Sequence, residues 1–276
     1  MINIGEYSTL EIIREAEQGL YLADAEGEEV LLPNRYVPKE FKIWDKMEVF
    51  VYLDNEERPV ATTDKPYITK GEFAMLRCNE VAPFGAFLDW GLVKELFCPF
   101  KEQAFKMKRG GWYLVYCYLD EETNRLVASS KTNHYLDNKE LTVQQFDEVD
   151  LIISHPSDIG MNVIVNNIHS GLIFNDDIYK ELSIGDRMKG TVKKIRPGNK
   201  LDISLGKIGY RNIEPNAETI LHELEDHGGF LNLTDKSHPD DIKDLLQMSK
   251  KNFKKAVGSL YKQRLIDIKD DGIYLA

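Results

Sequence analysis

The sequence predicts a mainly β fold class, with three tandem small barrels followed by a C-terminal α+β domain. Three segments share one ending, in which a turn, an alternating strand, a polar hairpin loop and a basic-led closing strand follow one another. These endings are WDKMEVFVYLDNEERPVATT (44–63), GGWYLVYCYLDEETNRLVASS (110–130) and IGDRMKGTVKKIRPGNKLDISL (184–205). After residue 209 the apolar spacing changes to that of helices. Repeated strand-rich units of about sixty to seventy residues are typical of tandem closed barrels.

Charge is distributed unevenly along the chain, whose formal net charge is −11. The predicted domains are 1–64, 65–144, 145–208 and 209–276. The first domain carries 6 basic and 15 acidic residues, a net charge of −9. Because nucleic-acid binding depends on contacts of Lys and Arg with phosphates, we expect this acidic N-terminal barrel to be structural or to contact a protein partner rather than to bind RNA.

One stretch of the second domain carries a pair of aromatic residues broken by a glycine. Phe84-Gly85-Ala86-Phe87 follows Pro83, which excludes a helix. We predict a strand bent by a bulge at Gly85, which places both rings on one surface. Two such rings form a platform on which nucleobases stack. Spacing alone leaves the alternative that both rings are core residues.

This domain resembles the S-one domain, an RNA-binding repeat of the OB fold. The matching parts are Gly71, the run Phe84 to Phe87, Leu96 to Pro99, Gly110 to Trp112, and Arg125 to Ser129. The resemblance implies that the two rings and Arg125 bind RNA. Phe97 replaces the family's frequent His and is expected either to extend the platform or to be buried. Three cations, Lys106, Lys108 and Arg109, precede the turn at Gly110. The alternative to a contact with RNA is that they lie in a solvated loop.

The other two barrels depart from that pattern. In the first domain the run becomes Gln18-Gly19-Leu20-Tyr21, which keeps one ring. In the third it becomes Ile159-Gly160-Met161-Asn162, which has none, and we expect Phe174 to take the ring position of the third strand.

The third domain instead carries a basic run without any acid between residues 189 and 200. Alternation predicts Lys189, Thr191 and Lys193 on one face of a strand, with Val192 and Lys194 opposite. The alternative to phosphate contact is an exposed solvated strand. The predicted RNA-binding residues of this domain are Phe174, Lys189, Lys193, Lys194, Arg196 and Lys200.

The C-terminal segment predicts a winged-helix domain. Three helices are expected: the first over 216–225, the second beginning after a cap at Ser237, and the third over 250–264 after a cap at Ser249. Two strands, at 265–268 and 272–275, are expected to follow. The third helix contains no acid and is expected to turn Phe253, Val257, Leu260 and Tyr261 inward. A solvated face is the ordinary explanation of its lysines, but winged helices commonly bind nucleic acid through this helix. The residues predicted to bind are Lys250, Lys251, Lys254 and Lys255.

The whole chain resembles the bacterial conserved virulence factor B family of RNA-binding proteins. Two segments carry the resemblance most specifically, GMNVIVNNIHSGLIFNDDIY (160–179) and MSKKNFKKAVGSLYKQRLI (248–266). The resemblance implies a non-catalytic protein that binds single-stranded RNA and affects gene expression post-transcriptionally. The alternative is a DNA-binding transcription regulator that acts through the winged helix.

Catalysis and cofactors are not expected. The six histidines are scattered without metal-ligand spacing, and no nucleophile and base are paired. The acids of residues 146–150 would suit a metal, but the family pattern makes them the entry to a strand. Cys78, Cys98 and Cys117 lie in apolar strands and are expected to be buried and reduced. We expect a cytoplasmic protein with no cofactor, no metal and no membrane partner.

Overall fold

The computed structural model describes residues 2–205, 215–262 and 265–276. The chain divides into two compact units. The first consists of Met1–Thr142, Val149–Met188 and Arg196–Asp202, and the second consists of Val143–Glu148, Lys189–Ile195 and Ile203–Ala276. The first two barrels lie in the first unit and the C-terminal domain lies in the second. The division passes through the third barrel.

Each barrel closes from five strands in the same order, with the fifth strand between the third and the fourth. The first barrel contains β1 (Tyr7–Ala16), β2 (Gly19–Ala23), β3 (Glu29–Pro33), β4 (Lys46–Leu53) and β5 (Pro59–Thr62). The second contains β6 (Phe73–Ala82), β7 (Gly85–Asp89), β8 (Leu96–Pro99), β9 (Trp112–Asp120) and β10 (Arg125–Ser129). The third contains β11 (Glu148–Ser157), β12 (Gly160–Val165), β13 (His169–Phe174), β14 (Arg187–Arg196) and β15 (Lys200–Ser204). The predicted fold class and its internal repeat are confirmed.

A glycine begins the second strand of every barrel because the next strand runs close beside it. A Cβ atom added at Gly19 would lie 2.0 Å from the carbonyl oxygen of Leu32. At Gly160 the corresponding distance, to the carbonyl oxygen of Ile173, is also 2.0 Å. Only glycine permits such an approach. The shared glycine therefore has a structural cause in all three barrels.

The predicted bend at Gly85 is wrong. Ala82 pairs directly with Gly85, so Pro83 and Phe84 form a two-residue turn between β6 and β7. The register shift lies instead in β6, between Cys78 and Glu80. The corresponding shifts occur in β1 and β11. Proline and the following residue suit a hairpin turn, which sequence spacing alone did not separate from a bulge.

Apolar contacts join neighbouring barrels within the first unit. Phe50 and Tyr52 of the first barrel place their rings 5.8 and 6.2 Å from the ring of Trp90, both edge-to-face. These residues share one buried cluster with the core of the second barrel. A second buried cluster joins Phe73 of the second barrel to Ile152 of the third. The second barrel is therefore packed against both of its neighbours.

The linker between β10 and β11 contains a short helical turn at Thr132–Tyr135. The ring of Tyr135 stacks on that of Tyr116 at 4.2 Å. His169 is fully buried. Its Nδ1–H donates to the carbonyl oxygen of Asp137 (2.6 Å), and its Nε2 accepts from the backbone N–H of Thr142 (3.1 Å). This histidine holds the linker on the third barrel.

The C-terminal domain has the helices and hairpin of a winged helix. Its elements are α1 (Pro215–Asp226), β16 (Phe230–Leu231), α2 (Pro239–Leu246), α3 (Lys250–Lys262), β17 (Ile266–Lys269) and β18 (Gly272–Leu275). The strands pair in the order β16-β18-β17. The core is built from α1, α2, α3 and the sheet, with Phe253 and Leu260 of α3 fully buried.

Helix α2 is capped by a different residue from the one predicted. The cap of α2 is His238, whose Nδ1 accepts from Asp240, because the hydroxyl of Ser237 accepts from Thr234 instead. Tyr261 is 54% exposed rather than inward. The Ser249 cap of α3 is confirmed by a hydrogen bond from Asn252 (3.2 Å). Arg264 and the expected domain start at Gly209 lie outside the described residues.

None of the helices in the described ranges is long and apolar enough to cross a membrane. No three His, Cys, Asp or Glu side chains of the described residues group as metal ligands would. Asp147, in the acidic segment considered for a metal, instead accepts from the backbone N–H of Gln144 (2.7 Å).

The three cysteines are predicted to be unreactive in the native protein. Cys78, Cys98 and Cys117 are fully buried. Burial raises the pKa of Cys98 and of Cys117 to about 12, and the thiolate is the reactive form. Mass spectrometry after iodoacetamide treatment at about pH 8 should show negligible alkylation of the native chain and complete alkylation after denaturation. Rapid labelling of a native cysteine would show instead that its barrel opens locally.

Candidate nucleic-acid interface

Three phenylalanine rings of the second barrel form one group on its outer surface, which we call the ring cluster. Phe84 lies in the β6–β7 turn, and Phe87 in β7 pairs directly with Phe97 in β8. The ring centroids are 6.0 Å apart for Phe84 and Phe87, 5.7 Å for Phe84 and Phe97, and 5.3 Å for Phe87 and Phe97. Phe84 is 60% exposed and the other two are half-buried. The alternative that the first two rings are core residues is therefore wrong.

Gly85 makes the ring cluster possible. A Cβ atom at this position would lie 2.5 Å from Cε2 of Phe97 and 2.6 Å from the carbonyl oxygen of Cys98. Carbon atoms make their best contact at about 3.5–4.0 Å, so the ring of Phe97 has room only because Gly85 has no side chain. The adjacent turn brings Phe84 beside it. A tight hairpin, rather than a bent strand, thus produces the surface group.

Arg125 forms an ion pair with Glu57, which belongs to the β4–β5 loop of the first barrel. Both side chains are about half exposed, at 51% and 49%. Arg125 begins β10, in which Val127 pairs with Phe97. The ion pair therefore lies beside the ring cluster. The guanidinium of Arg125, which was predicted to contact RNA, is bound to the carboxylate of Glu57 from the first barrel.

Asp54 fixes the shape of the loop that carries Glu57. Its carboxylate accepts from the backbone N–H groups of Glu56 and Arg58 and from the guanidinium of Arg58 at 2.7 Å. Burial by itself raises the pKa of Asp54, but the hydrogen bonds from Arg58 and Glu56 outweigh it and hold the pKa below its usual value. The carbonyl oxygen of Asp54 accepts from Nζ of Lys94 (2.6 Å), whose pKa is lowered by burial. The loop is thus anchored on the second barrel.

A cleft of about 580 Å³ lies between this loop and the ring cluster. Its charged lining residues are Glu57, Lys94, Glu95 and Arg125. Its volume is that of an ordinary ligand site. The arrangement suits a base stacked on the rings and a phosphate bound to Arg125, if the ion pair of Arg125 with Glu57 opens. The sequence pattern identified the rings and Arg125 but gave no signal for Glu57 or Lys94, which come together only through packing of the barrels.

The corresponding surface of the first barrel is already covered. The guanidinium of Arg14 lies 3.5 Å from the centroid of the Tyr21 ring and forms an ion pair with Glu29 (2.7 Å). The side-chain amide of Gln18 donates to the hydroxyl of Tyr21 (2.9 Å). The one ring that this barrel retains is therefore stacked on a residue of its own barrel.

The predicted ring position of Phe174 in the third barrel is wrong. Asn162 corresponds to Phe87 and pairs with Leu172, whereas Phe174 pairs with Gly160. Phe174 therefore stands two residues beyond the position of Phe97, where the second barrel has Pro99. Its ring lies 5.4 Å from the guanidinium of Arg196.

Arg196 is bound within its own barrel. Its Nε donates to Oδ1 of Asp202 at 2.7 Å, and its side chain is 35% exposed. Asp202 is almost fully buried. A buried ion pair with good hydrogen-bond geometry is costly to break. The guanidinium of Arg196 is therefore less available for a phosphate contact than the sequence pattern predicted.

The basic run of β14 does not alternate as predicted. Thr191 is 7% exposed, so it does not share an outward face with the lysines on either side. Lys193 and Lys194 are both exposed although they are adjacent. Twist and the end of the strand expose neighbouring residues that ideal alternation would separate. Lys189 and Lys200 are exposed as well, so four of the five predicted cations face solvent.

Helix α3 presents three of its four predicted lysines to solvent. Lys251, Lys254 and Lys255 are exposed, and their spacing places them on neighbouring turns. Lys250 is half-buried, and its Nζ donates to the carbonyl oxygen of Ser237 (2.7 Å). The ammonium of Lys254 is 3.9 Å from Asp235, a weak and exposed contact.

Comparison with known proteins gives the family. Residues 218–275 match the CvfB-like winged helix domain, and residues 4–64 match the S1 domain, which is the S-one domain. The chain is 30% identical to the uncharacterized protein YitL of Bacillus subtilis, over 94% of this chain and 89% of that protein. It is 24% identical to conserved virulence factor B of Staphylococcus epidermidis, over 99% and 94% of the two chains. The chain belongs to the conserved virulence factor B family.

A solved structure covers the same length. It is described as a multidomain protein with nucleic acid binding domains from Streptococcus pneumoniae, is 25% identical, and covers 99% of each chain with a TM-score of 0.49. The two matched families are nucleic-acid-binding domains rather than catalytic ones. This member of the family is therefore a nucleic-acid-binding protein.

Replacing Glu57 by Gln should strengthen binding to a single strand. The change removes the charge that competes for Arg125, and exposed ion pairs are worth about 0.2–1 kcal/mol, which corresponds to a gain of up to about fivefold. The salt dependence of the affinity should also steepen by about 0.7 unit, because Arg125 gains a phosphate contact. Fluorescence anisotropy with a labelled oligouridylate across a salt series measures both.

Glu56→Gln is the matched control for this change. It removes the same charge from the same loop, but Glu56 pairs with Arg58 (2.8 Å) rather than with Arg125. If both variants bind equally tightly, the effect is one of net charge, and the competition for Arg125 is refuted.

Proposed function

We propose that the chain is a non-catalytic bacterial RNA-binding protein that binds single strands and affects gene expression post-transcriptionally. The observation that carries the proposal is the ring cluster, with three aromatic side chains at a partly exposed surface beside a guanidinium. Stacking on aromatic rings requires bases that are not already paired in a duplex. An unpaired single strand is therefore the partner that this surface fits, and the resemblance of the barrel to the S-one domain favours RNA over single-stranded DNA.

Cations that are not part of the ring cluster support the proposal by supplying phosphate contacts. The exposed lysines of β14 and α3 stand out in a chain whose net charge is −11. Such contacts release counterions and strengthen binding without regard to sequence. The rings would then select unpaired bases, while the lysines would provide much of the affinity.

The acidic first barrel is proposed to contact proteins rather than RNA. Its net charge is −9 over residues 1–64, and its single platform ring is covered by Arg14. A surface of this charge repels phosphates and suits a basic protein surface.

The second candidate function is a DNA-binding transcription regulator. The exposed lysines of α3 favour it, since winged helices commonly place this helix in the major groove. The ring cluster does not fit a duplex, whose bases are stacked on one another. The ratio of affinities for single-stranded RNA and duplex DNA of the same sequence separates the two functions.

The double change Phe84→Ala with Phe87→Ala should weaken binding to single-stranded RNA. Loss of each stacked base costs about 1–3 kcal/mol. Because Phe84 is mostly exposed and Phe87 is half-buried, the melting temperature should fall far less than it would on truncation of two core rings. Anisotropy titration and thermal denaturation on the full chain measure the two effects.

Ile159→Ala is the control, because Ile159 is 56% exposed and precedes the glycine of the third barrel as Phe84 does in the second. This variant should bind as the wild type does. A folded double variant with unchanged affinity would refute the role of the rings.

Replacing Lys254 and Lys255 by Gln should lower the affinity for RNA and flatten its salt dependence by about 0.7 unit for each lost contact on a single strand. Lys243→Gln, an exposed lysine of α2, is the control. The same titrations on duplex DNA test the alternative function. Tighter binding of the wild-type chain to the duplex than to the single strand, lost in the α3 variant, would favour transcription regulation and contradict the proposal.

A further inference from the structure

A second cleft of about 460 Å³ lies between the second and third barrels, within the first compact unit. The sequence patterns drew attention to Trp112 and to Lys106, Lys108 and Arg109 of the preceding loop, but not to this cleft. Its walls come from the β8–β9 loop, the start of β9, the linker turn and β11. The residues that line it are Ala104, Phe105, Trp112, Tyr113, Leu114, Ser130, Lys131, Thr132, Asn133, His134, Ser154, His155 and Ile184.

Two large aromatic side chains border this cleft and face solvent. Phe105 is 83% exposed and Trp112 is 61% exposed. Isolated exposed apolar residues are common, but two aromatic side chains at the rim of one concave surface are typical of binding sites. Ile184, also at the rim, is 46% exposed.

The frame that carries these rings is well fixed. The hydroxyl of Tyr113 accepts from the backbone N–H of Lys108 (2.8 Å), which ties the loop after Phe105 to β9. The backbone N–H of Ala104 donates to the hydroxyl of Ser130 (2.8 Å). The opposite wall is the helical turn of the linker, held by the stacking of Tyr135 on Tyr116. A ligand would therefore meet a preformed site rather than a loop that must first become ordered.

The charge of the cleft is unusual for this chain. None of the described residues that line it is Asp or Glu, whereas Lys131, His134 and His155 are present. Exposed Arg77 is the cross-strand partner of Trp112, so its side chain lies on the same face of the sheet, where Asp89 is its partner on the other side. The loop between the two rings adds three further exposed cations, Lys106, Lys108 and Arg109.

We propose that this cleft is a second binding site for single-stranded RNA, in which Trp112 and Phe105 stack on unpaired bases while Lys131 and the loop cations contact phosphates. The proposal rests on the proposed function and adds a site to it. Charge complementarity selects this occupant: aromatic faces with cations and without acids match a base followed by a phosphate. The site differs from the ring cluster in that none of the described residues lining it is a carboxylate, whereas Glu57 and Glu95 line the first cleft.

Fluorescence of Trp112 tests the site directly. The other two tryptophans are Trp90, which is buried, and Trp44, which is 67% exposed. In a Trp44→Phe background, Trp112 is the only exposed tryptophan, and addition of an oligouridylate of about 12 nucleotides should quench its emission. The quenching should follow the same binding curve as anisotropy of the labelled RNA.

Affinity provides the second readout. Trp112→Ala and Phe105→Ala should each weaken binding roughly 5- to 160-fold, the range for loss of one stacked base. Trp112→Phe should retain most of the affinity, because it keeps an aromatic face. Trp44→Ala is the matched control, since it removes an exposed tryptophan from the acidic first barrel. Lys131→Gln should flatten the salt dependence by about 0.7 unit.

The outcomes separate this site from the proposed function. The second site would be overturned, and the function left in place, by two results together. The wild type would bind RNA without quenching of Trp112, and the RNA affinities of Trp112→Ala and Phe105→Ala would equal that of Trp44→Ala. Absence of RNA binding by the wild-type chain would contradict both. Equal quenching by duplex DNA would show that the cleft does not select unpaired bases and would also overturn the proposal.

Discussion

The packing of the first barrel on the second is the constraint on which the candidate RNA surface depends. The edge-to-face contacts of Trp90 with Phe50 and Tyr52 join the two barrels through a shared apolar cluster. This packing carries the acidic β4–β5 loop to the rim of the ring cluster. Without it, Arg125 would have no partner from the first barrel and the cleft would lack one wall.

Barrels of identical topology therefore present different surfaces. The second barrel presents its rings, whereas the first covers its single ring with Arg14 and contributes a carboxylate to its neighbour. The S1 family match nevertheless falls on the first barrel, at residues 4–64. Membership of a domain family thus describes the fold here, while exposure of individual side chains distinguishes the candidate binding surfaces.

Much of the architecture was predictable, because strand alternation, turn residues and helical spacing are local properties. The fold class and the internal repeat followed from them. Features that depend on register or on contacts between distant segments did not. Phe174 was misplaced by two residues because strand pairing cannot be measured from the sequence. Phe146 adopts a φ of +78° where the second barrel has Gly71 at +87°, so no glycine marked that turn. The pairing of Glu57 with Arg125 joins separate barrels and left no local signal.

The most direct test of the central claim is photocrosslinking of the full chain to single-stranded RNA that contains 5-iodouridine, followed by identification of the crosslinked residues by mass spectrometry. Stacked bases crosslink to the aromatic side chains that they contact. The account predicts adducts at Phe84, Phe87 or Phe97 that disappear when unlabelled RNA competes. Crosslinks confined to other parts of the chain, with the ring cluster unmodified at saturating RNA, would contradict it.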